Sequence, residues 1–531
     1  FAAGVMPPSI GGGGGWAGSV PAGTVPLGGL STGTSTGADL ELILPFQVVT
    51  TGNNSPGAVL QSIGGGGGIV ADVGGNVVVG GTQQALVDAS AGSLDYSQLT
   101  RSIQTGGNDS PGVVLQSIGG GGGLLGAVDG NVIAGSTSLL LSDTRGGTIT
   151  ATSGAPITTA GISSPGFTIQ SIGGGGALIG SAPTSVSVGG SGLGDSRSGA
   201  INFTNTGDIT TAGLNSSGVI LQSIAGSGLY TTSAGGNTIN LGGSVIGNNN
   251  SSGITFNNSG AITTGGSNSA AVVVQSIGGG GGAVFGVADA TATSITLGGQ
   301  DATDNQADAL SLTITGDLST FGTLSPAVLA QSIGGGGGYA PITSERGLAG
   351  SRSSLNLNAG AIQFDLSGDV TTNAFGSDGL LLQSIGAGGG VLGSTSESLT
   401  LGASNLANGD AAAISINSTG TITTIGAQSI GISAQSIGAG GGRAGTASGS
   451  ITLGANGAIG DGGAVSLNLA ANGGNGSIRT VGDQSPAFVL QSIGGGGGLV
   501  FPTTKTSSGN LLLGGGSEGT QGKGAVINFT A

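Results

Sequence analysis

The chain has 531 residues with 122 glycines, no cysteine and no histidine, 6% charged residues and a formal net charge of −15. Cys and His nucleophiles, His general bases and Cys/His zinc sites are therefore excluded. Nine Lys and Arg against 24 Asp and Glu leave no basic patch to neutralise a nucleic-acid backbone. Glycine comes in blocks rather than at every third position, which excludes collagen. A hydrophobic fraction of 36% and a mean hydropathy of +0.32 separate the chain from a disordered linker. No apolar run reaches the roughly 20 residues of a membrane helix. The lack of cysteine fits a secreted protein that does without disulfides.

In chain order, the first recognisable element is Pro8-Ser9-Ile10-Gly11, a clipped copy of a string, Gln-Ser-Ile-Gly, that then recurs to the end. Its glutamines are Gln61, Gln116, Gln170, Gln222, Gln275, Gln331, Gln383, Gln435 and Gln491, at intervals of 52 to 56 residues. Glycine blocks follow them, opening at Gly64, Gly119, Gly173, Gly278, Gly334 and Gly494. An array of this kind predicts a single continuous solenoid over residues 1–531, about ten repeats of ~54 residues truncated mid-repeat at both ends, with no domain boundary inside it.

Each repeat holds three β-branched or alternating runs bounded by Gly, Asn, Ser and Pro, which is strand-and-turn chemistry. The runs begin at Phe167, Val186 and Ile201, then Val219, Ile239 and Ile254, then Val272, Ile295 and Leu310, and again at Leu380, Leu399 and Ile414. The second-to-third spacing is 15 residues and the third-to-next spacing 18 in all four copies, whereas the first varies from 19 to 23 and contains the glycine block. Two copies depart from this. Leu355-Asn356-Leu357 lies only seven residues before Ile362, and an insertion around Asn472-Gly473-Gly474-Asn475 stretches the interval from Val465 to Phe488 to 23. Both are expected to be local bulges or loops. Runs 15 to 20 residues apart predict an all-β parallel β-helix with three coils per repeat, about thirty coils in all and about 140 Å long.

The glycine blocks have no Lys-Ser/Thr after them and no helix to follow, so they do not cradle phosphate. They are expected to form a sharp corner or flap at the edge of the rod, where bare backbone could pair with a neighbouring rod. With three coils between successive glutamines, an amide ladder is ruled out at about 14 Å, and each Gln is expected to bond a local backbone group. The middle residue of the preceding apolar triplet, Thr168 or Ser433 in two copies, is expected to face outward. Asp208, Asp317 and Asp369 sit in matching turns and read as turn residues; no cofactor is expected, beyond weak scattered Ca2+ binding. Thr-Thr pairs at 50/51, 158/159, 210/211, 263/264, 371/372 and 423/424 would place a hydroxyl at every third coil, too sparse for an ice-binding face. The arginines, including Arg346 and Arg352 in the irregular copy, read as isolated surface charges.

The stretches Asn205 to Ser223 and Asn258 to Gly282, of the form Asn/Thr-x-Gly-x-Ile-Thr-Thr…Ser-x-Gly-x-x-x-Gln-Ser-Ile-Gly, resemble the passenger regions of giant Gram-negative autotransporters and filamentous-haemagglutinin-like adhesins. The resemblance covers nearly the whole chain. It implies a right-handed parallel β-helix exported by type V secretion to the extracellular face of the outer membrane, working as an adhesin, filament or biofilm component and not as an enzyme. It also implies binding to a surface receptor or matrix and attachment to the outer membrane through a barrel that this chain does not contain; uncapped end coils and bare glycine blocks add an expectation of self-association end to end or side by side, and the scarcity of basic residues one of no nucleic acid. The principal rival is a β-helix enzyme acting on polysaccharide, for which Glu345, Arg346 and Arg352 are the nearest cluster of charge.

Overall fold

The computed structural model describes residues 3–531 except 32, 84–87, 136, 139–142, 182–183, 190, 193, 232–237, 243, 246, 286–291, 299–303, 342–343, 351–355, 403–407, 446, 455–458, 471–474, 502–509 and 515–521. Among the described residues the regular elements are all β-strands, and they pair in parallel.

The coil that opens at Val219 runs through strands Val219–Ile224, Gly228–Thr231, Thr238–Leu241, Ser244–Val245, Asn248–Asn250, Ile254–Asn258 and Ile262–Thr264, and the next coil opens with Val272–Ile277. Every strand stacks on its own equivalent one repeat away. Gln222 lies opposite Gln275, Ile239 opposite Ile295 and Phe203 opposite Phe256. Among the described residues four ten-stranded sheets result, with a nine-stranded sheet and two short ones. We call them the glutamine sheet (Pro8–Ile10 through Phe488–Ile493), the glycine sheet (Gly14–Ala17 through Gly497–Val500), the outer sheet (Thr24–Leu27 through Leu511–Leu513) and the aromatic sheet (Leu40–Ile43 through Ile527–Thr530). The nine-stranded one is the threonine sheet (Val48–Thr50 through Ser477–Thr480).

The parallel β-solenoid expected from the sequence is present, but its coil count differs. One repeat makes one coil, not three, so ten strand layers rise about 45 Å rather than 140 Å. The physical reason is that in-register stacking sets like on like. The runs within a repeat are unlike one another and form successive sides of a single broad coil, whereas runs one repeat apart are nearly identical.

A 54-residue coil folds its inner strands into layers. Alternate residues of a strand point to opposite faces. Val219 and Leu221 of the glutamine sheet enter a core shared with Ile201, Phe203 and Ile209. Ile220, on the other face, packs with Leu178 and Tyr230 of the glycine sheet. Ile179 and Val284, one residue further along the glycine strands, turn into a third core with Val186 and Ile239 of the outer sheet. The two inner sheets are thus covered on both faces, the usual condition of parallel sheets, and strands such as Val219–Ile224 are buried throughout. Thr168 and Ser433 were expected outside and are instead buried in the layer between these sheets, where neither hydroxyl has a partner. Rings stack along the axis: Phe167 and Phe203 have centroids 4.7 Å apart, and Phe203 and Phe256 5.4 Å apart.

The irregular copy keeps register. Its outer strand is Ser344–Ala349, with Gly347 opposite both Ile295 and Leu399. Gly347 stands 15 residues before Ile362, so the spacing survives and only the side chain is missing. Leu357 is buried, and Leu355 lies outside the described residues. So do residues 472–474 of the second departure, beside which the Gly476 amide bonds the Leu469 carbonyl at 2.8 Å.

Candidate functional site

One coil per repeat brings the nine glutamines into contact. Each Nε2 donates to the Oε1 of the next, from Gln61 to Gln491, at 2.6 to 2.8 Å. The ladder excluded by the assumed three-coil spacing therefore exists and runs through the layer between the two inner sheets. The expected backbone bond is also present: Gln275 and Gln331 donate to the carbonyls of Gly282 and Gly338, each seven residues on, at 3.1 Å. The adjacent serine faces the other core. Ser117 Oγ donates to the Gly92 carbonyl at 2.8 Å and accepts the Gly147 amide at 2.7 Å, stapling the loops of two consecutive coils to the glutamine sheet.

The glycine block is not a corner at the edge of the stack. Gly64, Gly119, Gly173, Gly278, Gly334 and Gly494 begin the turn that folds the chain from the glutamine sheet back into the glycine sheet. The block Gly64 to Gly68 is buried, so it offers no backbone to a neighbouring molecule. In the strand Gly281–Val284 the first two residues have φ of +144° and +139°, conformations L side chains rarely adopt. A Cβ at Gly281 would lie 1.8 Å from the Gly337 carbonyl oxygen of the next coil, and one at Gly282 would lie 2.1 Å from that of Leu229 in the coil before. The backbone conformation here directs any side chain along the stack into a neighbouring coil.

The threonine pairs divide between inside and outside. In every pair but the first, the second threonine is buried, as where Thr264 Oγ1 donates to the Ser269 carbonyl at 2.6 Å, and the Ser216 amide in turn bonds Ser269 Oγ at 2.9 Å. The first is in the outward position, except at Thr50 and Thr51, where the inward residue comes first. Thr158, Thr210, Thr263, Thr371 and Thr423 thus form a row with one hydroxyl in each of their coils, not in every third, with Ser319 completing it. Asp208, Asp317 and Asp369 act as turn residues: each Oδ1 accepts the amide of the equivalent position one coil on, at 2.8 to 2.9 Å.

Four of the arginines form ion pairs and do not stand isolated. Arg145 pairs with Asp143, Arg197 with Asp195 and Arg346 with Glu397, all at exposed or half-buried positions; Arg352 lies outside the described residues. A fourth pair is different. At the column before the glutamine strand, where other coils carry Pro56, Ser217 or Ile430, the coil of Gln383 carries Asp378. At the third position of the glycine strand, where Val391 and Leu499 flank it in register, the following coil carries Arg443. The two side chains meet, with 2% and 13% of their surface exposed. Asp378 Oδ1 also accepts the Ile430 amide at 2.8 Å, and the guanidinium sits 4.6 Å from the centre of the Phe501 ring. Burial pushes the Asp378 carboxyl above its ordinary value, opposed by the Arg443 charge and the Ile430 amide. A cavity of about 200 Å3 opens beside the pair. Sequence reasoning passed over these residues; the signal was a charge in two columns that other repeats fill with uncharged, mostly apolar residues.

Among the described residues no group of three or more acidic side chains is arranged to hold a metal ion, and no helix is long and apolar enough to cross a membrane. No family model, curated protein or solved structure matches the chain.

Proposed function

We propose that the chain is a non-enzymatic structural and adhesive element of the extracellular surface of a Gram-negative cell, a type V passenger that contributes to a stalk, fibre or biofilm matrix. The observation that supports this best is the uninterrupted glutamine ladder, with backbone bonds and packed cores continuous from coil to coil, so that stability is summed along the stack. Length comes from repetition: each further 54 residues or so adds about 4.8 Å. Partners are copies of the same chain, end to end or side by side, or a surface receptor, with attachment to the outer membrane through a β-barrel.

Electron microscopy of the purified chain, combined with a polysaccharide turnover assay, tests the proposal. The expected result is blocks about 45 Å along the stack axis that join into longer files at high concentration, with no turnover. Cleavage of a polysaccharide by the chain would overturn it in favour of the β-helix enzyme. The outward hydroxyl row favours one further reading, an ice-binding face. Val49, Gln104 and Arg479 interrupt that row at both ends, and inhibition of ice recrystallisation is the assay that separates the two readings.

A further inference from the structure

The pair Asp378 and Arg443 is not needed to build the coil, because other coils close the same two columns with uncharged residues. Burying two charges is seldom a gain in stability over apolar residues of similar volume. Both departures from the repeat fall on one cavity. Tyr339, Phe375 and Phe501 line it, Asp378 and Arg443 stand in its wall, and Gln428 completes it. Tyr339, 3% exposed, contributes a buried phenol to the cavity wall.

These groups select their occupant by chemistry. An anion meets a guanidinium already neutralised by Asp378, and a cation meets a carboxylate already neutralised by Arg443. A purely apolar molecule would desolvate the pair and the Tyr339 hydroxyl with nothing to replace the lost hydrogen bonds. What remains is a neutral ligand with hydroxyl groups on one side and a C–H face on the other. At about 200 Å3 the cavity is smaller than the roughly 300–1,000 Å3 that takes drug-sized molecules, which limits the occupant to a single ring or the end of a chain.

We propose that this cavity binds a pyranose ring of a neutral sugar. The C–H face lies on Phe375 or Phe501, and the hydroxyls bond the remaining Arg443 N–H groups, the Tyr339 hydroxyl and the Gln428 amide. The proposal deepens the adhesive part of the function above and rests on it, yet the two fail separately: loss of sugar binding leaves the stacked particle intact in the microscope, whereas a cleaved polysaccharide would refute the scaffold.

Saturation-transfer NMR on the full chain with D-galactose, D-glucose, D-mannose and N-acetylglucosamine is the test. At least one sugar is expected to give a saturable signal. The double variant Asp378→Pro with Arg443→Leu restores residues that other coils use, as at Pro326 and Leu178. It should weaken that signal by about tenfold or more while melting no lower than the parent. Should the double variant not fold, Phe375→Ala removes a ring that is 42% exposed and is expected to weaken binding severalfold at unchanged melting temperature. No saturable signal from any of the four sugars would overturn the proposal, as would a signal that survives these substitutions, or binding of indole that no sugar displaces.

Discussion

Leucine at position 275 keeps the volume of the glutamine and removes its amide. Gln275 accepts from Gln222 at 2.7 Å, donates to Gln331 at 2.7 Å and to the Gly282 carbonyl at 3.1 Å. All three glutamine side chains are fully buried, so Gln275→Leu strands one N–H of Gln222 and the Oε1 of Gln331. An orphaned buried polar group costs about 1–3 kcal/mol, and two of them cost about 2–6 kcal/mol. The same change at Gln61 has a different consequence. Opposite Gln61 in the preceding coil stands Pro8, and its Oε1 already lacks a partner. Gln61→Leu removes one bond and transfers the orphaned acceptor to Gln116, so the number of orphans does not change and the cost is about 1 kcal/mol. Urea unfolding followed by circular dichroism reads the difference as a shift of midpoint at constant slope. Hydrogen exchange at the flanking amides supplies the local value if the array opens in parts. Equal shifts for the two variants, or none at position 275, would refute the ladder.

Further expectations concern glycine and the buried carboxyl of Asp109. Gly281→Ala should cost at least about 3 kcal/mol or prevent folding, because it combines a positive φ with overlap onto the Gly337 carbonyl. Gly18→Ala, where a Cβ meets nothing within 4 Å, should stay within about 0.5 kcal/mol; both are read as denaturation midpoints. Asp109 occupies the left-handed turn position held elsewhere by Asn54, Asn215 and Asn268, and its Oδ1 has no partner. Burial, and then the charge of Asp72, push its pKa up to about 7 from 3.8. The folded chain therefore keeps a proton that the unfolded chain loses, and stability falls as pH rises from about 4 to about 7 before levelling. Asp109→Asn should remove that slope and gain about 2 kcal/mol at pH 8 after allowance for solvent screening, measured as the difference between the two denaturation-against-pH curves.

The strands were legible because their signal is local. Val186, Ile239 and Ile295, placed by spacing alone, do stack in one sheet, and Asp208 and Asp369 do serve as turn residues. Which strand pairs with which is not local, and 15-residue intervals between apolar runs look like coils when they are sides of one coil. That single misreading hid the glutamine ladder and made the threonine row look sparse. The glycine strand was hidden for another reason. Composition shows that a block lacks side chains, but not that φ is positive or that a neighbouring carbonyl occupies the space. Ala177 and Leu229, which take the second position of that strand without a positive φ, were the hint that the block is a strand. Asp378 and Arg443 become visible only when repeats are aligned in columns, since 65 residues separate them.

The central claim, one repeat per coil, is tested most directly by a cross-link. The chain has no cysteine, so Thr210→Cys with Thr263→Cys introduces a single pair of thiols at outward positions that face each other in register. One coil apart, their Cα atoms are about 4.8 Å from each other, within the 4.4–6.8 Å or so that a disulfide spans; three coils apart they would be about 14 Å from each other. Mild oxidation of the folded double variant, followed by thiol titration and peptide mapping, should show a near-complete intramolecular disulfide between residues 210 and 263. Two free thiols that persist in the folded chain would contradict the account.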